Sequence, residues 1–94
     1  MMERLIVVSY DIPSNRRRRQ VAELLEGYGQ RVQYSVFECR LSEGKLAELQ
    51  KRLKRRIKIE EDSVRFYPIP TYAIEQIIIW GGSPLSEPQG STVI

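Results

Sequence analysis

The first apolar run of the chain, Leu5-Ile6-Val7-Val8, opens a β-branched stretch that ends at Tyr10-Asp11-Ile12. Its lack of clean alternation predicts a central strand over residues 5–12 covered on both faces. Pro13-Ser14-Asn15 breaks the run. Ser14 or Asn15 then caps a helix whose apolar positions Val21, Leu24, Leu25 and Tyr28 recur at helical spacing. Gly29 stands at the expected helix end, where a left-handed residue is favoured.

Residues 32–41 are dense in Val, Tyr and Phe and read as extended. Val32, Tyr34 and Val36 share one face, whereas Phe37, Cys39 and Leu41 share the other, so a bulge or kink near Tyr34-Ser35, or two short strands end to end, is expected. Ser42 caps a second helix with Leu46, Leu49, Leu53 and Ile57 on its apolar stripe. Glu60-Glu61-Asp62 reads as a solvated turn before a strand over residues 63–69, which Pro68 and Pro70 mark as an edge. Residues 74–80, with Ile77-Ile78-Ile79-Trp80, read as a last strand, and residues 81–94, rich in Gly, Pro and Ser, as a mobile tail.

Strand, helix, one or two strands, helix, strand and strand predict an α+β fold of the ferredoxin-like βαββαβ type, a single domain over residues 1–80. A bare Ile-Ile-Ile-Trp strand on an open edge invites aggregation. A second copy of the chain is the economical partner for it, which predicts a homodimer.

Composition narrows the chemistry. The chain has 94 residues, enough for one modest core. Its single cysteine, Cys39, excludes an internal disulfide and fits a core position in a reducing compartment. No signal-peptide pattern and no apolar run of membrane-spanning length occur, so a cytoplasmic location and no membrane partner are expected. There is no histidine, which excludes the usual zinc sites, Ser-His-Asp triads and phosphodiester cleavage by paired imidazoles. The net charge of +3 is mild, and its clustering matters more than its size.

Two features are candidates for chemistry. Asp11 is either a turn residue that hydrogen-bonds the chain after it or a metal ligand. One carboxylate makes a poor magnesium site, but two Asp11 side chains facing across a two-fold axis would share a divalent cation. Hydrolysis without histidine would then use that cation as Lewis acid and activator of water. The second feature is Arg16-Arg17-Arg18-Arg19, in the first helical turn, where the macrodipole disfavours cations by roughly 0.3–1 kcal/mol each. Arg17 and Arg18 fall in line with the apolar stripe and are expected to point toward the sheet end that carries Asp11. Phosphate binding or a salt bridge to Asp11 would account for them.

The cluster at residues 51–58, including Lys54, Arg55 and Arg56, suits a helix C-terminus by the dipole alone and would also extend a phosphate-tracking surface. Tyr10, Tyr34, Phe37, Phe66 and Tyr67 lie on strands, where core packing is expected, and the sequence signature of RNA-recognition modules is missing.

Tyr10-Asp11-Ile12, the arginine-rich helix start, the run from Tyr28 through Gly29-Gln30-Arg31-Val32-Gln33-Tyr34-Ser35-Val36-Phe37-Glu38 to Cys39, and Asp62-Ser63-Val64-Arg65-Phe66-Tyr67 together resemble the small CRISPR-associated Cas2 family. The likeness covers residues 3–80 in order. It implies a ferredoxin-like subunit whose last strand reaches the partner's sheet in a homodimer. It also implies spacer acquisition, with the dimer bridging copies of the Cas1 integrase and holding incoming DNA. An endonuclease activity on RNA or DNA, dependent on magnesium or manganese, is implied too, with Asp11 of each subunit as catalytic metal ligand. Pro13-Ser14-Asn15 stands where many relatives carry further acidic residues. The alternative is a non-catalytic DNA-binding scaffold between integrase subunits, in which Asp11 is structural.

Overall fold

A computed structural model describes residues 3–86 of the chain. Its elements are β1 (Arg4–Asp11), α1 (Asn15–Glu26), β2 (Gln30–Gln33), β3 (Val36–Leu41), α2 (Glu43–Lys54) and β4 (Ser63–Ile69), followed by a 3-10 helix over Thr71–Gln76. The four strands form one antiparallel sheet in the order β2-β3-β1-β4, the ferredoxin-like arrangement. β1 is central, pairing Ile6 with Cys39 and Val8 with Phe37 on one side. On its other side Val8 faces Phe66, Tyr10 faces Val64 and Asp11 faces Ser63.

Alternation along the strands decides what is buried. Ile6, Val8 and Tyr10 of β1 and Phe37, Cys39 and Leu41 of β3 meet Val21 and Leu25 of α1 and Leu49 and Leu53 of α2 in one core. Each such aliphatic or phenyl side chain contributes roughly 1.5–3 kcal/mol relative to an exposed position. Burial pushes the Cys39 thiol up to about 11, so it is inert packing, as its position suggested.

Both helices start as their sequence predicts. The Ser14 hydroxyl accepts from the Arg17 backbone N–H and the Ser42 hydroxyl from that of Lys45, each at 3.2 Å. α2 agrees with its dipole, carrying Glu43 in the first turn and Lys51, Arg52 and Lys54 in the last. α1 has no acid in its first turn, so its arginines need other partners.

Several expectations are corrected. β1 is covered by helices on one face only; Val7 and Ser9 on the other face remain half-buried. α1 ends at Glu26, with Gly27 at its C-cap at φ −79°, so Gly29 is not a left-handed cap. Gly29 is required by close approach instead, because a Cβ there would lie 2.4 Å from the Glu38 carbonyl and 2.5 Å from Cys39 Sγ. The extended stretch after α1 folds back on itself at Tyr34-Ser35 as a hairpin of β2 and β3, with a register shift between Arg31 and Gln33.

The segment after β4 departs furthest. Residues 71–76 form the 3-10 helix, and residues 77–80 join no strand ladder, leaving Ile78 78% and Trp80 94% exposed. A strand exists only through its partner, and β4 is the sheet edge with no further strand beside it among the described residues. The chain then reaches the opposite edge, where Arg40 Nε donates to the Ser86 carbonyl and the Ser86 hydroxyl donates to Gln30 Oε1, both at 2.8 Å. Of the tail expected over 81–94, residues 87–94 lie outside the described residues.

Candidate functional site

Asp11 ends the central strand, exposed, on the sheet face turned away from the helices, since it alternates with the buried Tyr10. Among the described residues its carboxylate enters none of the side-chain hydrogen bonds or ion pairs, and the turn after it is held by Ser14 instead. The turn-residue role therefore has no support in the geometry, and neither has the salt bridge to Arg17 or Arg18.

The four arginines separate. Arg17 turns to Asp62, donating from Nε at 2.7 Å and from Nη2 at 2.9 Å, and also reaches Glu61 at 3.1 Å. This is a bidentate pair, the strongest arginine–carboxylate geometry. Asp62 is no solvated turn residue: its side chain is fully buried and also accepts the Lys58 backbone N–H at 2.8 Å. The Arg17 hydrogen bonds hold the Asp62 carboxyl below its usual range against the opposing effect of burial, with the Lys58 N–H assisting. The same contact raises Arg17 above the ordinary guanidinium value. Arg17 thus ties the start of α1 to the start of β4, one residue from Ser63, the cross-strand partner of Asp11.

Arg18 donates from Nη1 to the Ile12 carbonyl at 2.7 Å and from Nη2 to Asn15 Oδ1, which pins it over the exit of β1. Arg16 and Arg19 are exposed and enter no ion pair among the described residues. At the C-terminal end of α2 Lys54 and Arg55 are exposed, and Arg55 and Arg56 flank a groove against Gln20 and Glu23 of α1. The fold therefore brings Arg16, Arg18 and Arg19 to the end of the sheet that carries Asp11, and the C-terminal end of α2 reaches the same end, since Lys54 shares a groove with Ser63, the cross-strand partner of Asp11.

Two cations near this end escaped the sequence reading. Arg31 of β2 lies over the Phe37 ring, 5.3 Å from its centroid. Arg65 of β4 stands opposite Ser9, on the face of Asp11, and donates to the Tyr67 hydroxyl at 3.1 Å. Strand alternation was the available signal for both, but it needs the register to become a position.

The donor set is small. Among the described residues no group of three or more His, Cys, Asp or Glu could hold a metal ion. Asp11 offers one free, exposed carboxylate per chain, which fits a hard cation bound through one or two carboxylates plus water. No helix among the described residues is long and apolar enough to cross a membrane.

Comparison with known proteins agrees with this geometry. Residues 2–77 match the family model described as CRISPR associated protein Cas2. The chain is 58% identical over 90 residues to a CRISPR-associated endoribonuclease Cas2 of Synechocystis, covering 96% of this chain and 98% of that one. It is 44% identical to a CRISPR-associated endonuclease Cas2 of Thermus thermophilus, over 93% and 92% of the two chains. Among solved structures, Streptococcus pyogenes Cas2 superposes with a TM-score of 0.73 at 34% identity, over 82% and 99% of the chains. A chain of a partial Cas6-RT-Cas1–Cas2 complex superposes with a TM-score of 0.75 at 28% identity, over 89% and 98%. With a family model spanning most of its length and relatives matched from end to end, the chain belongs to the Cas2 family of CRISPR-associated proteins.

Proposed function

We propose that this chain works in CRISPR spacer acquisition as a nucleic-acid-binding homodimer that hydrolyses phosphodiesters of RNA or DNA at Asp11, with magnesium or manganese as cofactor. The observation that carries this reading is the free, exposed Asp11 carboxylate at the end of the central strand, beside Arg18 and the solvent-facing Arg16 and Arg19.

The residues of the chain divide the work. Arg16 and Arg19 meet backbone phosphates as mobile cations, and Arg18 does so from a fixed position. The Arg17–Asp62 pair holds the helix start, and with it these arginines, against the strand end. Asp11, paired with Asp11 of a second copy, would hold one divalent cation whose bound form supplies Lewis acidity to the scissile phosphate. The bare edge of β4 and the exposed Ile78, Ile79 and Trp80 support the dimer. Next to that edge an apolar groove lined by Leu53, Ile57, Ile59, Val64 and Phe66 is ready to receive apolar side chains of an added strand. The similarity to a chain found in a complex with Cas1 supports the Cas1 integrase as partner.

A second reading is a DNA-holding scaffold between integrase subunits without hydrolysis, favoured by the presence of one carboxylate and no histidine. Cleavage of labelled RNA and duplex DNA by the wild type and by Asp11→Asn, with light scattering on both, separates the two. The nuclease reading expects cleavage that needs magnesium or manganese and falls at least 100-fold in Asp11→Asn, while both proteins keep the mass of a dimer. Equal rates in the two proteins would refute catalysis at Asp11. Binding without cleavage by the wild type would leave the scaffold, and a monomer at micromolar concentration would refute the dimer.

A further inference from the structure

On the sheet face turned away from the helices, the register sets Arg65 of β4 opposite Ser9 and diagonal to Asp11, which pairs with Ser63. Side chains on such a diagonal stand about 7–8 Å apart, within reach of a long one. Along this face of β1 and β4, Asp11 is the one acid and Arg65 the one cation, and both are exposed. Opposite charges so placed attract across a sheet. Here they form no ion pair.

Tyr67 accounts for the separation. It lies on the same strand and face, beyond Arg65 as seen from Asp11, and its hydroxyl accepts from Arg65 Nη1 at 3.1 Å. The guanidinium is thus drawn along β4 away from the carboxylate. This is the one side-chain hydrogen bond of Arg65 among the described residues, so the rest of its N–H fork is available. The other arginines of this end are placed differently. Arg17 is held by Asp62, Arg18 by the Ile12 carbonyl and Asn15, and Arg16 and Arg19 belong to the helix layer. Of these, only Arg65 lies in the sheet beside Asp11.

Attack on a phosphodiester builds negative charge on the non-bridging oxygens, and a preplaced donor fork aimed at them lowers the barrier. Resting on the nuclease reading above, we propose that Arg65 is a further catalytic residue, whose guanidinium contacts the non-bridging oxygens of the phosphate hydrolysed at Asp11, and that Tyr67 is a positioning residue that keeps Arg65 off the Asp11 carboxylate. Water is the co-reactant: its oxygen bonds to phosphorus while the ester P–O bond breaks, leaving its electron pair on the departing oxygen. The proton that the water loses balances the one that this oxygen takes up. Arg65 contributes charge and no proton.

The test uses the full chain as wild type, Arg65→Gln, Arg65→Lys, Tyr67→Phe and the double variant Tyr67→Phe/Arg65→Gln, with labelled RNA and duplex DNA at saturating Mn2+. Arg65→Gln should lower kcat about 100-fold, the loss typical of one oxyanion donor, with KM changed by less than about threefold. Arg65→Lys, which keeps the charge without the fork, should fall between. Mn2+ binding without nucleic acid, followed by electron paramagnetic resonance, reads the second role. Tyr67→Phe frees Arg65 to pair with Asp11 and should weaken Mn2+ binding about two- to fivefold, the strength of an exposed ion pair. The double variant should restore it. A wild-type kcat in Arg65→Gln, with or without a rise in KM, overturns the catalytic role while cleavage at Asp11 stands. An Arg65→Gln protein that loses its dimer mass in light scattering overturns that role as well, assigning Arg65 to the subunit interface. Unchanged Mn2+ binding in Tyr67→Phe overturns the positioning role. A wild type that cleaves neither substrate overturns this proposal together with the nuclease reading.

Discussion

Asp11 and Asp62 sit at adjoining strand ends, since Asp11 pairs across the sheet with Ser63, the residue after Asp62. One is exposed and takes no side-chain partner; the other is buried and receives two arginine hydrogen bonds and a backbone N–H. The same functional group is thus committed to structure at one position and left available at its neighbour. The arginines divide in parallel, because Arg17 is absorbed by the buried acid and Arg16 and Arg19 are not. A site of this kind is recognised by charges that the fold leaves uncommitted, more than by charge density.

The sharpest way to break this contrast is to remove each carboxylate in turn. Asp62→Ala strands the Lys58 N–H and the inner face of Arg17, and should cost about 1–3 kcal/mol in urea denaturation. Asp11→Ala removes a group without partners and should change stability by less than about 0.5 kcal/mol, although under the proposed nuclease reading it should eliminate cleavage. Equal destabilisation by the two would collapse the distinction.

The pair also differs in its expected response to acid. The Asp62 carboxyl is depressed in the folded state, so the native protein binds fewer protons than the unfolded chain as pH falls through the usual carboxylate range. Its contribution is complete above the unfolded value of about 3.9 and is lost as pH drops through the lower folded value. Asp62→Asn should flatten the stability profile below about pH 4 relative to the wild type, read as urea midpoints across that range. An unchanged profile would mean that Arg17 does not hold the carboxylate in solution.

The smallest effect concerns the arginines. Each phosphate contact adds about 0.9 to the slope of log affinity against log salt on duplex DNA. Arg16→Gln and Arg19→Gln should each lower that slope by about this amount without affecting the melting temperature. Arg17→Gln should do the reverse, lowering the melt and leaving the slope. A slope loss confined to Arg17→Gln would reverse the assignment.

The sequence showed the two helices and their serine caps, the Phe37, Cys39 and Leu41 core face, and Asp11 at the exit of a central strand, because caps and side-chain periodicity are local. It also marked the first-turn arginines as unexplained by helix stability, which remains true of Arg16 and Arg19. Gly29 was misread because its constraint is an approach by Glu38 and Cys39 of β3, distant along the chain but adjacent in the fold. Glu60-Glu61-Asp62 looked solvated because three acids in a row usually are. Only the packing of α1 against the start of β4 gives Asp62 its arginine.

The sequence by itself determined the order of elements from β1 to β4, the ferredoxin-like class, the position of Asp11 and the family, since these are carried by residue order and local spacing. Tertiary structure alone decided which carboxylate is buried, which arginine it captures, that Arg31 and Tyr34 line one cleft with Arg18, and that residues 77–80 join no ladder among the described residues. These are contacts between residues distant in the chain, and their energies depend on burial and register that no local pattern encodes.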